Sequence, residues 1–361
     1  MSHSNNTNFT ALSKDMLFTD FLDWWLIDLK NSLSQSTFSG YRNCLRVIKR
    51  FFEELELSLC KVKPFHIQEF YRIRMVEGVK AITILHYHAN IHKAFKRAMQ
   101  LDLVELNPAD KVILPKKETF HASYYSEDEL KKLFKVVIDD ECELCIHIAA
   151  FYGLRRSEII GLKWDAIDFL QKTISVRNKI TEAHNLNGKY ELVIEKSLKN
   201  KSSYRTFPLI SHIEKMLLIE KSKQNFDIDY FFADYVCKKK DGKLIRPNYL
   251  SEHFDYILAK HNLRKIRLHD LRHTCASLML KHGISMKQIQ EWLGHSNFAT
   301  TANIYSHLDY SSKITSAEKI NEILNFSAEK KMYKKGERFV LILRSVLKKF
   351  IRFKKTRSCI T

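Results

Sequence analysis

The chain is poor in residues that break secondary structure. Among 361 residues only 5 are Pro and 9 are Gly, which argues against a protein built of short elements and many turns and predicts long helices. Long hydrophobic runs are missing as well. The longest, such as Phe339–Leu343, fall far short of the roughly 18 residues of a membrane span. Met1–Lys14 is polar and has no apolar signal-peptide core. The 7 cysteines, at positions 44, 60, 142, 145, 237, 275 and 359, are odd in number and form no framework. That excludes a disulfide scaffold and points to reduced thiols in a cytosolic setting. Cys142 and Cys145 form one CxxC, but it lies in a helical apolar stretch, Cys142–Phe151. No second pair completes a zinc site, so they read as small buried hydrophobes, and no metal or cofactor is expected.

Acidic residues are the minority among the charges. Sixty Lys plus Arg face 41 Asp plus Glu, giving a net charge of +19. Such an excess suits a polyanion, either nucleic acid or an anionic membrane surface, with nucleic acid the favoured partner. Hydrophobic residues at 45% and charged residues at 28% are ordinary for a globular protein able to bury a core, and this length suggests two domains.

Leu17, Phe18, Phe21, Leu22, Trp25, Leu26 and Leu29 recur at helical spacing. A second helix is predicted over Tyr41–Leu55 after capping residues at Ser34–Thr37, a third opens at Pro64, and a fourth runs from Ala81 to Leu101 and stops before Asn107-Pro108. A basic stretch follows. Ser126, with Glu127, Asp128 and Glu129 in the first turn, then starts a further helix. Thr173–Thr181, Tyr190–Glu195 and Tyr204–Leu209 are β-rich and predict a small antiparallel sheet, with Lys199 at the tip of a hairpin between the last two strands. After Pro208 the chain returns to helices through about Ala328. Glu329–Thr361 carries 12 Lys and Arg, only two acids, and an apolar helical stripe from Phe339 to Ile351. The boundaries expected are 1–14 as a flexible start, 15–110 a helical domain, 111–123 a linker, 124–326 a second domain and 327–361 a basic amphipathic tail.

Four stretches of the second domain carry chemistry-bearing residues. Arg155 stands at a turn between Gly153 and a capping Ser157; alone, it could equally be a surface arginine. Lys199 sits in a loop, where a lysine can reach a phosphate and deliver a proton or merely be solvated. His269 and Arg272 share one helical face: the arginine can fork two phosphate oxygens while the histidine accepts or donates a proton, or both can belong to a surface turn. Gly294 ends a helix, and His295 precedes Tyr305 by ten residues; a tyrosine amid Ile304 and Leu308 can also be a core residue.

The four stretches read GLRRSEIIGLKW, KNKSSYRTFPL, LHDLRHTCASLML and WLGHSNFATTANIYSHL, in that order. In wording and spacing the chain resembles the tyrosine recombinase (phage integrase) family, strongly over 124–326 and more loosely over 15–110. The resemblance implies a mostly α fold with a small antiparallel sheet, arranged as a two-domain C-shaped DNA clamp. An N-terminal core-binding (SAM-like) domain and a catalytic domain would grip the duplex. It implies Tyr305 as nucleophile, attacking the scissile phosphate to give a 3′-phosphotyrosyl link without metal or ATP. Arg155 and Arg272 would hold the non-bridging oxygens, and Lys199 would protonate the leaving 5′-oxygen, with Lys196 and Lys201 as rivals. His269 would act as base or relay, His295 would hydrogen-bond the phosphate, and Glu158 would support the basic cluster.

The implied partners are double-stranded DNA at specific recombination sites, three further copies of the chain in a tetramer on two sites, and accessory DNA-bending or directionality proteins. A bacterial cytoplasmic, nucleoid-associated location follows, with no membrane partner. Asp309–Phe326 would dock on a neighbouring copy. About 14 residues precede the first helix, where many phage and transposon integrases carry an arm-site-binding domain, so a simpler recombinase or a shortened integrase is expected. The basic tail exceeds the usual family end; of DNA, a membrane surface and a partner protein, charge favours DNA. Two other readings stand beside this one: a type IB topoisomerase-like or resolvase enzyme, and a non-catalytic DNA-binding regulator on the same fold.

Overall fold

A computed structural model describes residues 12–117, 123–184, 189–195, 204–223 and 233–294, with the single positions Glu318 and Ile320. The chain opens with four helices, α1 (Phe18–Leu29), α2 (Gln35–Glu53), α3 (Pro64–Val76) and α4 (Ala81–Gln100). Their apolar stripes converge on one cluster in which Phe18, Phe21, Phe52, Ile67, Phe70 and Phe95 are buried. The Phe18 ring stacks on Phe95 at 4.8 Å and meets Phe52 edge-on at 4.9 Å, geometries that ring quadrupoles favour. The second helix starts well before Tyr41, because Ser34 is its N-cap and accepts from the Thr37 N–H. Pro64 occupies the first turn of α3, where its missing N–H costs nothing.

The second cluster spans Tyr125 to Leu271. Helix α5 (Glu127–Val136) begins in the anticipated capping box, Ser126 with Glu129. Then come α6 (Glu143–Tyr152), α7 (Arg156–Ile160), β1 (Ile167–Asp168), β2 (Thr173–Val176), β3 (Lys179–His184), β4 (Tyr190–Glu195), β5 (Arg205–Pro208), α8 (Ser211–Lys223), α9 (Pro247–Lys260), α10 (Asp270–Lys281) and α11 (Met286–Leu293).

The strands differ from expectation in two ways. The extended stretch Thr173–Thr181 is two strands, not one, and the strands form two sheets. One is antiparallel β1-β2-β5, the other a β3-β4 pair. Gly161 explains the break: a Cβ there would stand 2.7 Å from the Asn178 carbonyl oxygen and the Lys179 Cα, so α7 lies against the backbone where the chain leaves one sheet for the other. Among the described residues β4 and β5 do not pair with each other, as a hairpin over Lys199 would require. Residues 196–203 join β4 of one sheet to β5 of the other, because β5 pairs back onto β2, Arg205 opposite Val176 and Pro208 opposite Thr173. The segment itself lies outside the described residues. The same holds for residues 295–308, among the helices expected through about Ala328, for Asp309–Phe326 apart from Glu318 and Ile320, and for the basic tail. Among the described residues no helix is long and apolar enough to cross a membrane.

Candidate active site

The C-terminus of α6 sets the site. Gly153 ends that helix in the left-handed region, φ 61°, which glycine reaches without a Cβ penalty. A Cβ at Gly153 would lie 2.6 Å from Leu293 Cδ2 and 3.6 Å from Arg272 Cγ, so this turn is where α6, α10 and α11 close on one another. Arg155 follows as the N-cap of α7. Ser157, expected to cap, instead lies inside the helix; the cap N–H at Arg155 is satisfied by Glu158 Oε2 at 2.9 Å, a stabilising position for an acid at a helix start.

Glu158 is the electrostatic hinge of the cluster. It is only 3% exposed, and its two oxygens accept from Arg155 Nη1 at 2.7 Å and Arg205 Nη2 at 2.8 Å. Burial pushes its pKa up, but the Arg205 and Arg155 charges and the Arg155 hydrogen bonds outweigh that and hold it below the usual carboxylate range. Arg205, the first residue of β5, is itself buried. It stands within a stretch quoted for Lys199, yet no role was expected of it. A signal was present: in β5 the alternation places Arg205 on the same face as buried Phe207, and an inward charge demands a partner.

Arg272 and His269 lie at the start of α10, His269 as its N-cap. The Arg272 side chain is buried and donates to two backbone carbonyls, Nη1 to Gly153 and Nη2 to Leu293, each at 2.6 Å. Arg155 Nη2 reaches the next carbonyl, Gly294, at 3.5 Å. The two guanidinium groups expected to hold a phosphate thus meet at one dipeptide, and that dipeptide leads directly into His295. The His269 pKa is pushed down to about 4, by desolvation first and then by His273, Arg272 and Arg267, with Asp270 acting the other way. Solvent still reaches this exposed ring and screens part of the effect, but the imidazole is neutral at neutral pH and can accept a proton or a hydrogen bond. Asp270, in the first turn of α10, anchors Arg267 through Oδ1 at 2.7 Å.

Aromatic contacts fix these elements relative to each other. Tyr152 at the end of α6 packs on Phe207 of β5 at 5.2 Å, and Phe207 on Trp292 of α11 at 4.8 Å. The Tyr152 hydroxyl donates to the Pro208 carbonyl and accepts from the Ile210 N–H. The segments bearing Arg155, Arg205 and Gly294 are thereby tied into one block. Lys199, His295 and Tyr305, with Lys196 and Lys201, lie outside the described residues.

The CxxC behaves largely as expected: Cys142 and Cys145 are buried, and all six described cysteines are free thiols. Cys142 nevertheless belongs to the one group of described residues able to hold a metal, with Asp140 and His253, whose ligand atoms lie within 4.8 Å of one another. His253 Nε2 is 2.9 Å from Asp140 Oδ2, and the Cys142 N–H donates to Oδ1 at 2.8 Å. Desolvation and then the Asp140 and Glu141 charges raise the Cys142 pKa, so the thiol stays protonated. The length of α6, about 15 Å, separates this trio from Gly153. A cavity of about 660 Å³ lined by Asp140, Glu141, Cys145, Met216 and Lys239 also lies at that far end, away from the arginines.

Comparison with known proteins agrees with the geometry. Residues 123–312, just over half of the chain, match the model of the phage integrase family. A tyrosine recombinase XerC-like protein of Caldanaerobacter subterraneus is 26% identical over 329 residues, covering 86% of this chain and 84% of the relative. The ICEBs1 integrase of Bacillus subtilis is 25% identical, covering 79% and 78%. Among solved structures, a Tn1549 transposon integrase in complex with circular intermediate DNA superposes with a TM-score of 0.71 at 20% identity, covering 84% of this chain and 99% of that one. A λ integrase dimer bound to a core site gives 0.62 at 18% identity, covering 79% and 97%. The chain belongs to the phage integrase family and has the tyrosine recombinase fold. It is a recombinase, an enzyme that cleaves and rejoins DNA.

Proposed function

We propose that this recombinase acts at specific DNA sites to integrate or excise a mobile element, using Tyr305 as the nucleophile. The observation that carries the reading is the meeting of Arg155 and Arg272 on the consecutive carbonyls of Leu293 and Gly294. Two guanidinium groups from different elements, with a neutral His269 beside one of them, form a receptor for a phosphodiester. Charge building on the non-bridging oxygens meets donors already in place. A free tyrosine has a pKa of about 10, so Tyr305 needs its proton removed as it attacks. His269 accepts it or passes it on, and His295, the residue after Gly294, hydrogen-bonds the phosphate. Lys199 delivers a proton to the leaving 5′-oxygen. The phosphotyrosyl link conserves the energy of the broken bond, so a second 5′-hydroxyl reverses the step without ATP.

In this reading residues 15–110 form a core-binding domain and 124–326 the catalytic domain, joined by 111–123, and the two separate hydrophobic clusters support that division. The net charge of +19 favours phosphate contacts and hence salt-sensitive binding. The active assembly is a tetramer on two sites in the bacterial cytoplasm, with accessory proteins setting direction; a λ integrase tetramer on a Holliday junction has a related fold. The likeness to the ICEBs1 integrase and to the Tn1549 transposon integrase supports a mobile-element role. The decisive test is trapping on a nicked suicide duplex from the DNA flanking the gene. The native protein gives a covalent adduct and Tyr305→Phe gives none; an equal adduct from the variant would remove Tyr305 from the chemistry.

A further inference from the structure

We propose that Arg205 is a positioning residue for strand cleavage: through the shared, buried Glu158 carboxylate it leaves the Arg155 guanidinium charged and aimed for the DNA phosphate. This rests on the phosphate-binding role proposed for Arg155.

The argument is one of charge balance at a single carboxylate. The Arg155 side chain is 38% exposed, whereas those of Glu158 and Arg205 are 3% and 6% exposed. With one arginine alone, a buried carboxylate would hold and neutralise it, because desolvation makes an uncompensated charge costly. Arg205 supplies that compensation from the protein interior. The trio then carries a net positive charge, which resides on its one solvent-facing member. Glu158 orients Arg155 through two bonds, from the Arg155 N–H and from Nη1, without consuming its charge for the incoming anion.

Arg205 is fixed for this task. Its backbone pairs with Val176 across the three-stranded sheet, and its guanidinium lies over the Phe207 ring, 5.6 Å from the centroid. Its Nε and Nη1 are buried and have no partner among the described residues. A buried donor without a partner is destabilising, so an apolar side chain would serve packing better at this position. What an apolar side chain cannot do is balance Glu158. The structure therefore assigns Arg205 a function in the charge of the site rather than in the stability of β5.

The test compares two versions of the nicked suicide duplex, one with an ordinary scissile phosphate and one with a methylphosphonate, which replaces a charged non-bridging oxygen by a methyl group. On phosphate DNA, Arg205→Gln should form the covalent adduct at least about tenfold more slowly than the native protein, with Arg205→Lys recovering most of the loss. On methylphosphonate DNA, which needs no arginine to offset charge, the native protein and Arg205→Gln should differ by less than about threefold. A 5′-bridging phosphorothiolate, whose leaving group needs no proton, should leave the tenfold gap in place.

A gap of the same size on methylphosphonate would assign Arg205 a merely structural role. A gap closed by the phosphorothiolate would place its action on the proton donor in 196–203 instead, and no gap on phosphate DNA would remove it altogether; each result overturns the proposal. If Arg205→Gln melts below the assay temperature, the Glu158→Gln/Arg205→Met double variant, which leaves no unpaired buried charge, takes its place: with no carboxylate left to neutralise Arg155 it should cleave phosphate DNA within about threefold of the native protein, and a loss of about tenfold or more would overturn the charge-balance proposal. Absence of any adduct from the native protein would defeat the cleavage reading and this inference together. A native adduct with any of the three overturning patterns defeats only this inference.

Discussion

The helical region around Phe18 and the region from Tyr125 to Leu293 both close on apolar packing, but they differ in what else is buried. In the first, the buried polar residues are Thr19, Ser39 and Asn107, all uncharged. In the second they include Glu158, Arg205, Asp270 and Arg272, with His147 and His273. Charges taken out of water hold their place only when paired, and here the pairs join elements far apart in the chain: Glu158 with Arg205, and Arg272 with the Gly153 and Leu293 carbonyls. One region uses its interior for cohesion. The other uses part of its interior to hold Arg155, Arg205 and Arg272 in place, the cluster to which the proposed function assigns the phosphate.

The largest effect should come from opposing substitutions, one in each region. Phe70→Ala, at a fully buried ring, should cost about 3–5 kcal/mol of stability. It should leave adduct formation largely intact at temperatures where the variant is folded. Arg272→Met should do the reverse in kind, raising the cleavage barrier by at least about 3 kcal/mol. Denaturant melts alongside suicide-substrate rates check both; a Phe70→Ala protein that is stable but cannot cleave would break the contrast.

Gly153→Ala falls between these cases. The left-handed backbone and the 2.6 Å approach to Leu293 Cδ2 predict a loss of about 2 kcal/mol. The adduct rate should fall as well, because the same turn seats Arg272 and Arg155. Loss of stability with an unchanged rate would separate the turn from the site.

The smallest effect is one of pH. His147 is buried, hydrogen-bonded to His212 and stacked on Phe134; desolvation first, and then His212, lower its pKa to about 4. The unfolded chain takes up this proton near its ordinary value, so between about pH 6.5 and about 4 it binds more protons than the folded one. Stability therefore falls as pH drops through that window. His147→Phe should flatten the slope, retaining about 1–2 kcal/mol at pH 5 that the native protein loses. An unchanged slope of melting temperature against pH would place the acid sensitivity elsewhere.

The same contrast explains what could be read in the sequence. The four N-terminal helices were legible because an apolar interior imposes a helical period on Phe18, Phe21, Leu22 and Trp25 and because Pro64 marks a helix start, and α5 because the Ser126–Glu129 box marks its start. Arg155, Glu158, His269 and Arg272 were legible as a pattern, and the fold brings Arg155 and Arg272 to one dipeptide. The division of the strands into two sheets was not legible. Strand pairing is non-local, and β-propensity across Thr173–Thr181 does not show that Gly161 packs against its middle. Arg205 was missed for a related reason: the meaning of a buried charge lies in its partner, and Glu158 is 47 residues away.

The anchoring of Arg272 has a practical consequence for re-engineering such an enzyme. Two of its hydrogen bonds go to main-chain oxygens, the Gly153 and Leu293 carbonyls. Exchanging side chains nearby to alter which DNA is accepted leaves those two contacts intact so long as the turns at Gly153 and Gly294 keep their shape. Keeping these two main-chain contacts through a redesign thus depends on two glycines, which a library of variants should spare.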